Sequence, residues 1–241
     1  GSVYAIAEDH VNPNLLFVGT EFGLYFSLDG GNDWTKLGAG LPTIAIRDIE
    51  IQKRENDLVL ASFGRGFYIL DDYTPLRTYQ KGIADKGVHI FPVKDALMFV
   101  DSRPLGGRGK GSQGASYYTA NNPPIGATFS YMIKDTLRTI KEKRQIEEKK
   151  LVKAGQKVPY PSFAMMRAED SEEKPYLIFT ISDASGNEVR KIKTDASNGM
   201  KRITWDFRYA DVSPIKLKET KVGRYGERSS GPIALPGKSQ Y

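Results

Sequence analysis

Short apolar runs, separated by turn residues, fill the first part of the chain. Four such runs are Val3–Ala7, Leu15–Gly19, Leu24–Ser27 and Trp34–Leu37, and a turn centred on Pro13 separates the first two. Apolar runs of this length, bounded by Gly, Pro and Asn, are typical of β-strands joined by tight turns. The pattern therefore predicts four consecutive short strands in this segment.

The strand pattern recurs roughly 43 residues further along the chain, a spacing within the range typical of propeller blades. Ile46–Ile51 aligns with the first strand, Asp57–Ser62 with the second and Phe67–Leu70 with the third. The glycines also correspond, because Gly19–Tyr25 is repeated as Ser62–Tyr68. This internal repeat predicts about two four-stranded blades.

A second set of apolar runs follows a stretch that is rich in Gly and Pro. The runs are Ala127–Ile133, Tyr176–Ile181, Glu188–Ile192 and Gly199–Arg208. Their alternation of apolar and polar positions predicts a small immunoglobulin-like sandwich, with Trp205 as its core tryptophan.

The two sets of strands divide the chain into three parts. The predicted fold class is mainly β, with a partial β-propeller over residues 1–79, an irregular Gly- and Pro-rich linker over residues 80–125, and an immunoglobulin-like β-sandwich over residues 126–241. A helical hairpin is predicted as an insertion in the sandwich at about residues 135–174, because Glu/Lys pairs recur there at three- and four-residue spacing. Its second helix is predicted over Phe163–Glu172.

One segment, which covers the first part of the helical insertion, carries most of the net positive charge. The chain has 35 Lys and Arg against 29 Asp and Glu, a net charge of +6, and the excess is concentrated in residues 134–157. Two interpretations follow. The insertion is either a solvated helical hairpin that packs on the sandwich, with Ser162 as the N-cap of its second helix, or a basic docking surface for an acidic protein partner. A local basic face of this kind does not favour nucleic-acid binding.

The composition does not support several classes of chemistry. The chain has no cysteine, which excludes disulfides, thiol catalysis and Cys-based metal sites within it. Its two histidines, His10 and His89, are isolated, so neither predicts a metal site or a Ser-His-Asp triad. We therefore predict no metal, no cofactor and no catalytic residue. No apolar run reaches the length of about 18 residues that a membrane span needs, so no span is predicted.

The octet Ser27–Trp34 is the most specific motif in the chain. It matches the pattern S/T-x-D-x-G-x-x-W, in which Gly31 contributes the backbone freedom of a tight turn. Asp29 is expected to accept hydrogen bonds from backbone N–H groups of the turn, Ser27 to add a hydroxyl contact, and Trp34 to lay its ring across the hairpin. These four residues are therefore assigned a structural role.

The octet is an Asp-box, and the chain resembles a group of large secreted bacterial proteins, often labelled glycosyl hydrolases, whose propellers carry Asp-box (BNR) repeats and are similar to the sortilin propeller. The segments that carry the resemblance are Val11–Gly23, Ser27–Trp34, Gly40–Pro42, Phe63–Asp72, Asn122–Ala127 and Trp205–Arg208. The resemblance implies a secreted, periplasmic or cell-surface location, with the signal peptide outside this chain. Because propellers of that group have many more blades, we expect a fragment that is completed by the remaining blades of its parent or by self-association.

The resemblance implies binding more directly than catalysis. Arg65, Glu21 and Arg47 are the candidate ligand-facing residues for a peptide or a glycan. Arg65, which lies between two glycines, either points into a propeller tunnel or pairs with Asp71 or Asp72. The leading hypothesis is a non-catalytic extracytoplasmic binding or scaffold fragment. The alternative is part of a sialidase-like glycoside hydrolase whose catalytic residues lie mainly in other blades.

Overall fold

The computed structural model describes residues 1–38, 40–99, 120–212 and 231–240. In this part of the chain the fold is mainly β, helices are few, and every strand pairing is antiparallel. The described strands form four small sheets, none of which closes on itself. The predicted mainly β class is therefore confirmed. Residues 100–119 of the predicted linker lie outside the described residues.

The chain divides into two compact units, Gly1–Asp85 and Lys86–Tyr241. The elements of the first unit are β1 (Val3–Glu8), β2 (Leu16–Thr20), β3 (Gly23–Ser27), β4 (Thr35–Leu37), β5 (Ile46–Gln52), β6 (Asp57–Ser62), β7 (Phe67–Leu70), α1 (Pro75–Thr78) and a short 3₁₀ helix (Lys81–Asp85). The first sheet has the order β1-β2-β3-β4 and the second the order β5-β6-β7. The second sheet has three described strands rather than the predicted four, because the chain enters α1 soon after β7.

Apolar side chains from both sheets form one core in the first unit. Its buried members are Leu15, Phe17, Leu24, Ile46, Ile49, Ile51, Leu58, Leu60, Tyr73 and Leu76. β1 and β2 lie against β5, and the approach is close at Gly19, where a Cβ atom would lie 2.7 Å from the carbonyl oxygen of Ile46. A larger residue at this position would push the two sheets apart, since a packed interior has no room to absorb it.

Equivalent hydrogen bonds align the two sheets residue by residue. The Thr20 hydroxyl donates to the Gly23 carbonyl oxygen at 3.0 Å. The Ser62 hydroxyl donates in the same way to the Gly66 carbonyl oxygen at 2.7 Å. Thr20 therefore corresponds to Ser62, whereas the sequence repeat aligned Gly19 with Ser62. The alignment is corrected by one residue because Ser62 precedes its glycine partner by four positions, whereas Thr20 precedes its glycine partner by three.

The second unit contains two small sheets and a helical hairpin, with the elements β8 (Val88–Ile90), β9 (Ala127–Ile133), α2 (Ile140–Lys153), α3 (Phe163–Ser171), β10 (Tyr176–Asp183), β11 (Glu188–Asp195), β12 (Gly199–Trp205) and β13 (Ser239–Gln240). One sheet has the strand order β11-β10-β13 and the other the order β12-β9-β8. β8 lies within the predicted linker and pairs with β9, where His89 is opposite Met132. The core of this unit contains Phe129, Tyr131, Ile133, Phe179, Ile181, Val189 and Trp205.

Polar contacts hold the helical hairpin together. α2 buries no side chain, and it begins with a capping box formed by Thr139 and Glu142. Arg144 on α2 donates from Nε and Nη2 to the two carboxylate oxygens of Glu169 on α3, at 2.6 and 2.8 Å. Ser162 accepts a backbone N–H in the first turn of α3 at 3.3 Å, which confirms the predicted N-cap.

A buried ion pair joins the end of β1 to α1. The carboxylate of Asp9, which follows β1, has no exposed surface. Arg77 donates to both of its oxygens, from Nε at 2.8 Å and from Nη2 at 2.7 Å. The Tyr73 hydroxyl also donates to Asp9, at 2.5 Å, and the side-chain oxygen of Asn56 accepts from Arg77 at 2.8 Å. These four residues, the Asp9 cluster, connect the end of β1, the β5–β6 turn and α1.

Burial and hydrogen bonding act in opposite directions on the Asp9 carboxylate. Burial raises its pKa, but hydrogen bonds from Arg77, Tyr73 and the Asn12 N–H, together with the charge of the arginine, outweigh burial and bring the pKa from 3.8 to about 2. Burial and the hydrogen bond to Asp9 raise the pKa of Tyr73. Asp9 is therefore ionised and Tyr73 neutral at neutral pH, as the ion pair requires.

Replacing Asp9 by Asn should destabilise the first unit strongly. The Asp9→Asn variant leaves the Arg77 charge without its counter-charge, and breaking a buried pair in this way typically costs about 3–5 kcal/mol. Urea titration, read by hydrogen exchange of peptides from residues 1–85, would measure the loss. The control is Arg54→Gln, which removes an exposed ion pair with Glu55 and should cost less than about 1 kcal/mol. Equal losses in the two variants would contradict the structural role of the Asp9 cluster.

The low pKa of Asp9 also predicts a contribution to stability that acid removes. Because its pKa is lower in the folded than in the unfolded chain, the contribution is present above about pH 4 and is lost as the pH falls towards about 2. We expect about 1–2 kcal/mol after allowing for solvent screening. The difference in unfolding free energy between the original chain and Asp9→Asn should therefore shrink across this interval. A difference that stays constant would show that the carboxylate does not titrate as described.

Candidate functional site

The Asp-box closes the turn between β3 and β4. The Ser27 hydroxyl, buried at the end of β3, donates to Oδ1 of Asp29 at 2.8 Å and accepts the Gly31 N–H at 2.8 Å. Oδ1 of Asp29 also accepts the Asp33 N–H at 2.9 Å. The ring N–H of Trp34 donates to the Gly31 carbonyl oxygen at 3.0 Å. The polar groups of the motif therefore bond to one another and to the turn backbone, an arrangement that stabilises the hairpin.

The backbone of the turn needs glycine. Gly30 and Gly31 have φ angles of 71° and 97°, which L side chains rarely adopt. Trp34, whose ring was expected to lie across the hairpin, keeps 41% of its surface exposed. Its role in the turn therefore rests on the ring N–H bond as well as on packing.

The corresponding turn after β7 lacks this arrangement. Asp72 accepts a hydrogen bond from the Thr74 hydroxyl at 2.6 Å, and its own N–H donates to Oδ1 of Asp57 at 2.9 Å. Asp72 accepts both the hydroxyl and the backbone N–H of Thr74, two residues after it, whereas Asp29 accepts the hydroxyl of Ser27, two residues before it, and the N–H of Asp33, four residues after it. The second copy of the repeat leads into α1 instead of a further hairpin strand.

Two of the three candidate ligand-facing residues converge on Tyr4. The Arg47 guanidinium lies over the Tyr4 ring, 3.9 Å from its centroid, and it is 5.1 Å from the centroid of the Phe63 ring. The Tyr4 hydroxyl donates to Oε1 of Glu21 at 3.5 Å, and the Ser2 N–H donates to Oε2 at 3.3 Å. We call Tyr4, Glu21, Arg47 and Phe63 the Tyr4 cluster.

The Tyr4 cluster lies at one end of the two sheets. Tyr4 and Arg47 are the second residues of β1 and β5, and Glu21 and Phe63 lie in the β2–β3 and β6–β7 loops. Arg47, Glu21 and Phe63 are exposed. Because guanidinium donors lie in the plane of the group, stacking on aromatic rings leaves them directed outward. The cluster therefore offers apolar ring surface, a cation and a carboxylate side by side.

Arg65, the third candidate, lies in the β6–β7 loop. It is exposed and is flanked by Gly64 and Gly66, whose φ angles are 76° and 68°. One sequence-based interpretation paired Arg65 with Asp71 or Asp72. In the described part of the chain no ion pair joins Arg65 to either residue. The Arg65 side chain is therefore open to solvent. Along the chain it follows Phe63 of the Tyr4 cluster by two residues.

Tyr4 and Phe63 are not among the ligand-facing residues predicted from the sequence. Tyr4 occupies in β1 the place that Arg47 occupies in β5, because each lies at the register shift that opens its strand. Equivalent positions of stacked repeats lie next to each other. The repeat therefore contained a signal for the contact between Tyr4 and Arg47, whereas the position of Phe63 depends on how its loop folds back.

Among the described residues no group of His, Asp and Glu side chains is placed to hold a metal ion. No helix in the same part of the chain is long and apolar enough to cross a membrane. No family model, no curated protein and no solved structure matches the chain. The geometry of the Tyr4 cluster therefore carries the functional interpretation.

Removing the Ser27 hydroxyl should loosen the Asp-box turn. The Ser27→Ala variant takes away the hydroxyl that accepts the Gly31 N–H and removes one of the hydrogen bonds to Oδ1 of Asp29, which should cost about 1–3 kcal/mol. Amide hydrogen exchange should accelerate at Gly31 and in β4. The control Asn32→Ala removes an exposed bond to the Asp29 carbonyl oxygen and should have a smaller effect. Unchanged exchange in Ser27→Ala would contradict this account of the turn.

Proposed function

We propose that this chain is a non-catalytic binding or scaffold module of the sortilin-like Asp-box propeller type, and that it presents a peptide- or glycan-binding surface at the Tyr4 cluster. The observation that carries the proposal is the exposed stacking of Arg47 on Tyr4 and Phe63. Tyrosine, other aromatic residues and arginine are enriched at recognition surfaces, because they combine a large contact area with directed donors.

The propeller part of the proposal is supported by the repeat and by the Asp-box. Two successive antiparallel sheets stack through one core. Each has an equivalent hydroxyl bond to a glycine carbonyl oxygen, from Thr20 in the first sheet and from Ser62 in the second. On this reading each sheet is a blade, and the second unit, with its two sheets around Trp205, is the immunoglobulin-like module. An extracytoplasmic location belongs to the same proposal and rests on the resemblance.

The ligand chemistry follows from the groups in the Tyr4 cluster. The ring of Phe63 can stack on the apolar face of a sugar or on an apolar peptide side chain. The outward donors of Arg47 can bond to carbonyl, hydroxyl or carboxylate oxygens, and Glu21 can accept from hydroxyl or amide groups. Peptides and glycans both carry this mixture of apolar faces and polar groups.

The use of the carboxylates favours binding over catalysis. Asp29 accepts hydrogen bonds within its own turn, and Glu21 is bonded by Tyr4. Most glycoside hydrolases need two carboxyl groups that flank the scissile bond at separations of roughly 5–10 Å. The alternative function, part of a sialidase-like glycoside hydrolase, would draw such groups mainly from further blades, with Arg65 as a substrate-binding residue.

Arg47→Ala should weaken ligand capture without unfolding the chain, because Arg47 is exposed. The full chain would be screened on immobilised glycans and on a peptide library, and the best-retained compound titrated against the variants. We expect affinity to fall about 10- to 100-fold in Arg47→Ala, as for a central contact residue. Arg54→Ala, an exposed arginine in the β5–β6 turn, should bind normally. Equal binding by all these proteins would remove the Tyr4 cluster from the site.

A parallel assay separates binding from hydrolysis. The same chain and its Arg65→Ala variant would be incubated with a panel of fluorogenic glycosides and sialosides. The proposal expects no turnover by either protein. Turnover that is lost in Arg65→Ala would overturn the non-catalytic proposal and favour the hydrolase alternative.

A further inference from the structure

Exposed apolar residues on β1 occupy positions whose repeat equivalents are buried. Val3 and Ile6 are 64% and 66% exposed. Their equivalents on β5, Ile46 and Ile49, are 0% and 6% exposed. The equivalence is secure because both strands open with a register shift at the same place. The apolar positions of β5 that pack against the first sheet therefore have equivalents on β1 that are exposed to water.

The opposite relation holds for β7. Phe67 and Ile69 are 75% and 60% exposed. Their equivalents on β3 are Leu24, which is fully buried, and Phe26, which packs against the core between the sheets. Phe67 and Leu24 correspond because each follows the glycine whose carbonyl oxygen accepts the hydroxyl bond. The apolar positions of β3 that face the core therefore have equivalents on β7 that are exposed to water.

These residues belong to the outer faces of the two-sheet stack. Side chains alternate between the faces of a strand, and the exposed residues on β1 and β7 do not join the core between the sheets. The row across the outer face of the first sheet is Ile6, which is exposed, Val18, which is 8% exposed, and Tyr25, which is half-buried. The equivalent row on the inner face of the second sheet is Ile49, Leu60 and Tyr68. One outer face thus has the chemistry of a face that already packs inside the unit.

We infer that a second copy of this chain covers these faces. The outer face of the first sheet in one copy packs on the outer face of the second sheet in the other, in the way that the two sheets of one copy already pack. A second copy suits both faces, because each copy carries the two complementary faces itself; further blades of a longer chain are the other occupant, and the tests below distinguish the two. Ala61 lies at the position equivalent to Gly19, so a small residue again permits close approach of the sheets.

The contact joins two different faces, so it is heterologous and head to tail. After two copies pair, one face of each kind stays free, and association continues until a ring closes or an open assembly forms. One residue opposes the contact: Glu50 lies on the outer face of the second sheet in the place that Ala7 has in the first. Burying its charge is unfavourable, so Glu50→Ala should tighten association.

Sedimentation velocity of the full chain over a range of concentrations tests the inference. The original chain should form species larger than the 26.8 kDa monomer. The variant Phe67→Lys/Ile69→Glu should raise the dissociation constant by at least about 100-fold, because it removes two large buried contacts. The control Tyr160→Lys/Val152→Glu makes the same kind of change at exposed positions of the helical hairpin and should associate normally.

Mixing two variants tests the head-to-tail geometry. Val3→Glu/Ile6→Lys should also be monomeric, and circular dichroism should show that both double variants keep their strands. Mixed with Phe67→Lys/Ile69→Glu, it should form a one-to-one dimer that grows no further, since each variant retains the face that the other lacks. A monomeric original chain would overturn the inference and assign these faces to further blades of a longer chain. Weaker association in Glu50→Ala, loss of association in the hairpin control, or no dimer in the mixture would also overturn it.

Discussion

The buried Asp9 carboxylate is the constraint on which the first unit depends. Removing a carboxylate from water is unfavourable unless charge and hydrogen bonds replace its solvation. Arg77, Tyr73 and the Asn12 N–H do so here, and the arginine lies 68 residues away in the chain. The carboxylate is satisfied when β1, the β5–β6 turn and α1 have come together. The ion pair therefore favours one stacking of the two sheets over other ways of burying the same apolar residues.

The same strand separates the structural end of the unit from the candidate recognition end. Asp9 follows the last residue of β1, whereas Tyr4 lies near its first residue, so the Asp9 cluster and the Tyr4 cluster are at opposite ends. The buried charge fixes one end of the strands. The other end bears the loops that present Glu21 and Phe63. Loops on a rigid scaffold can change their side chains without disturbing the core, and this division provides such a scaffold.

Local sequence patterns predicted the strands and turns whose structure depends on neighbouring residues. The first apolar run, Val3–Ala7, anticipated β1 within one residue of its observed end, and the Asp-box turn is encoded in eight consecutive positions. The Asp9 pair joins residues 68 positions apart, and no local periodicity encodes such a contact. The stacking of Arg47 on Tyr4 joins equivalent positions of the repeat, so only the internal repeat carried a signal for it. The repeat itself was aligned one residue away from the structural match at Ser62, because a shorter β5–β6 turn is compensated by a longer β6–β7 loop.

The two copies of the repeat share a local hydrogen bond but differ in charge. Asp9 accepts the Asn12 N–H at 2.8 Å, and its equivalent Gln52 accepts the Glu55 N–H at 2.7 Å. In each copy a side-chain oxygen thus caps the turn after the first strand, and a neutral amide is sufficient for that purpose. Asp9 also faces Arg77, since α1 follows the second sheet, and there a full charge gains a bidentate partner. Repetition therefore preserves the turn, while tertiary position decides which copy carries the charge.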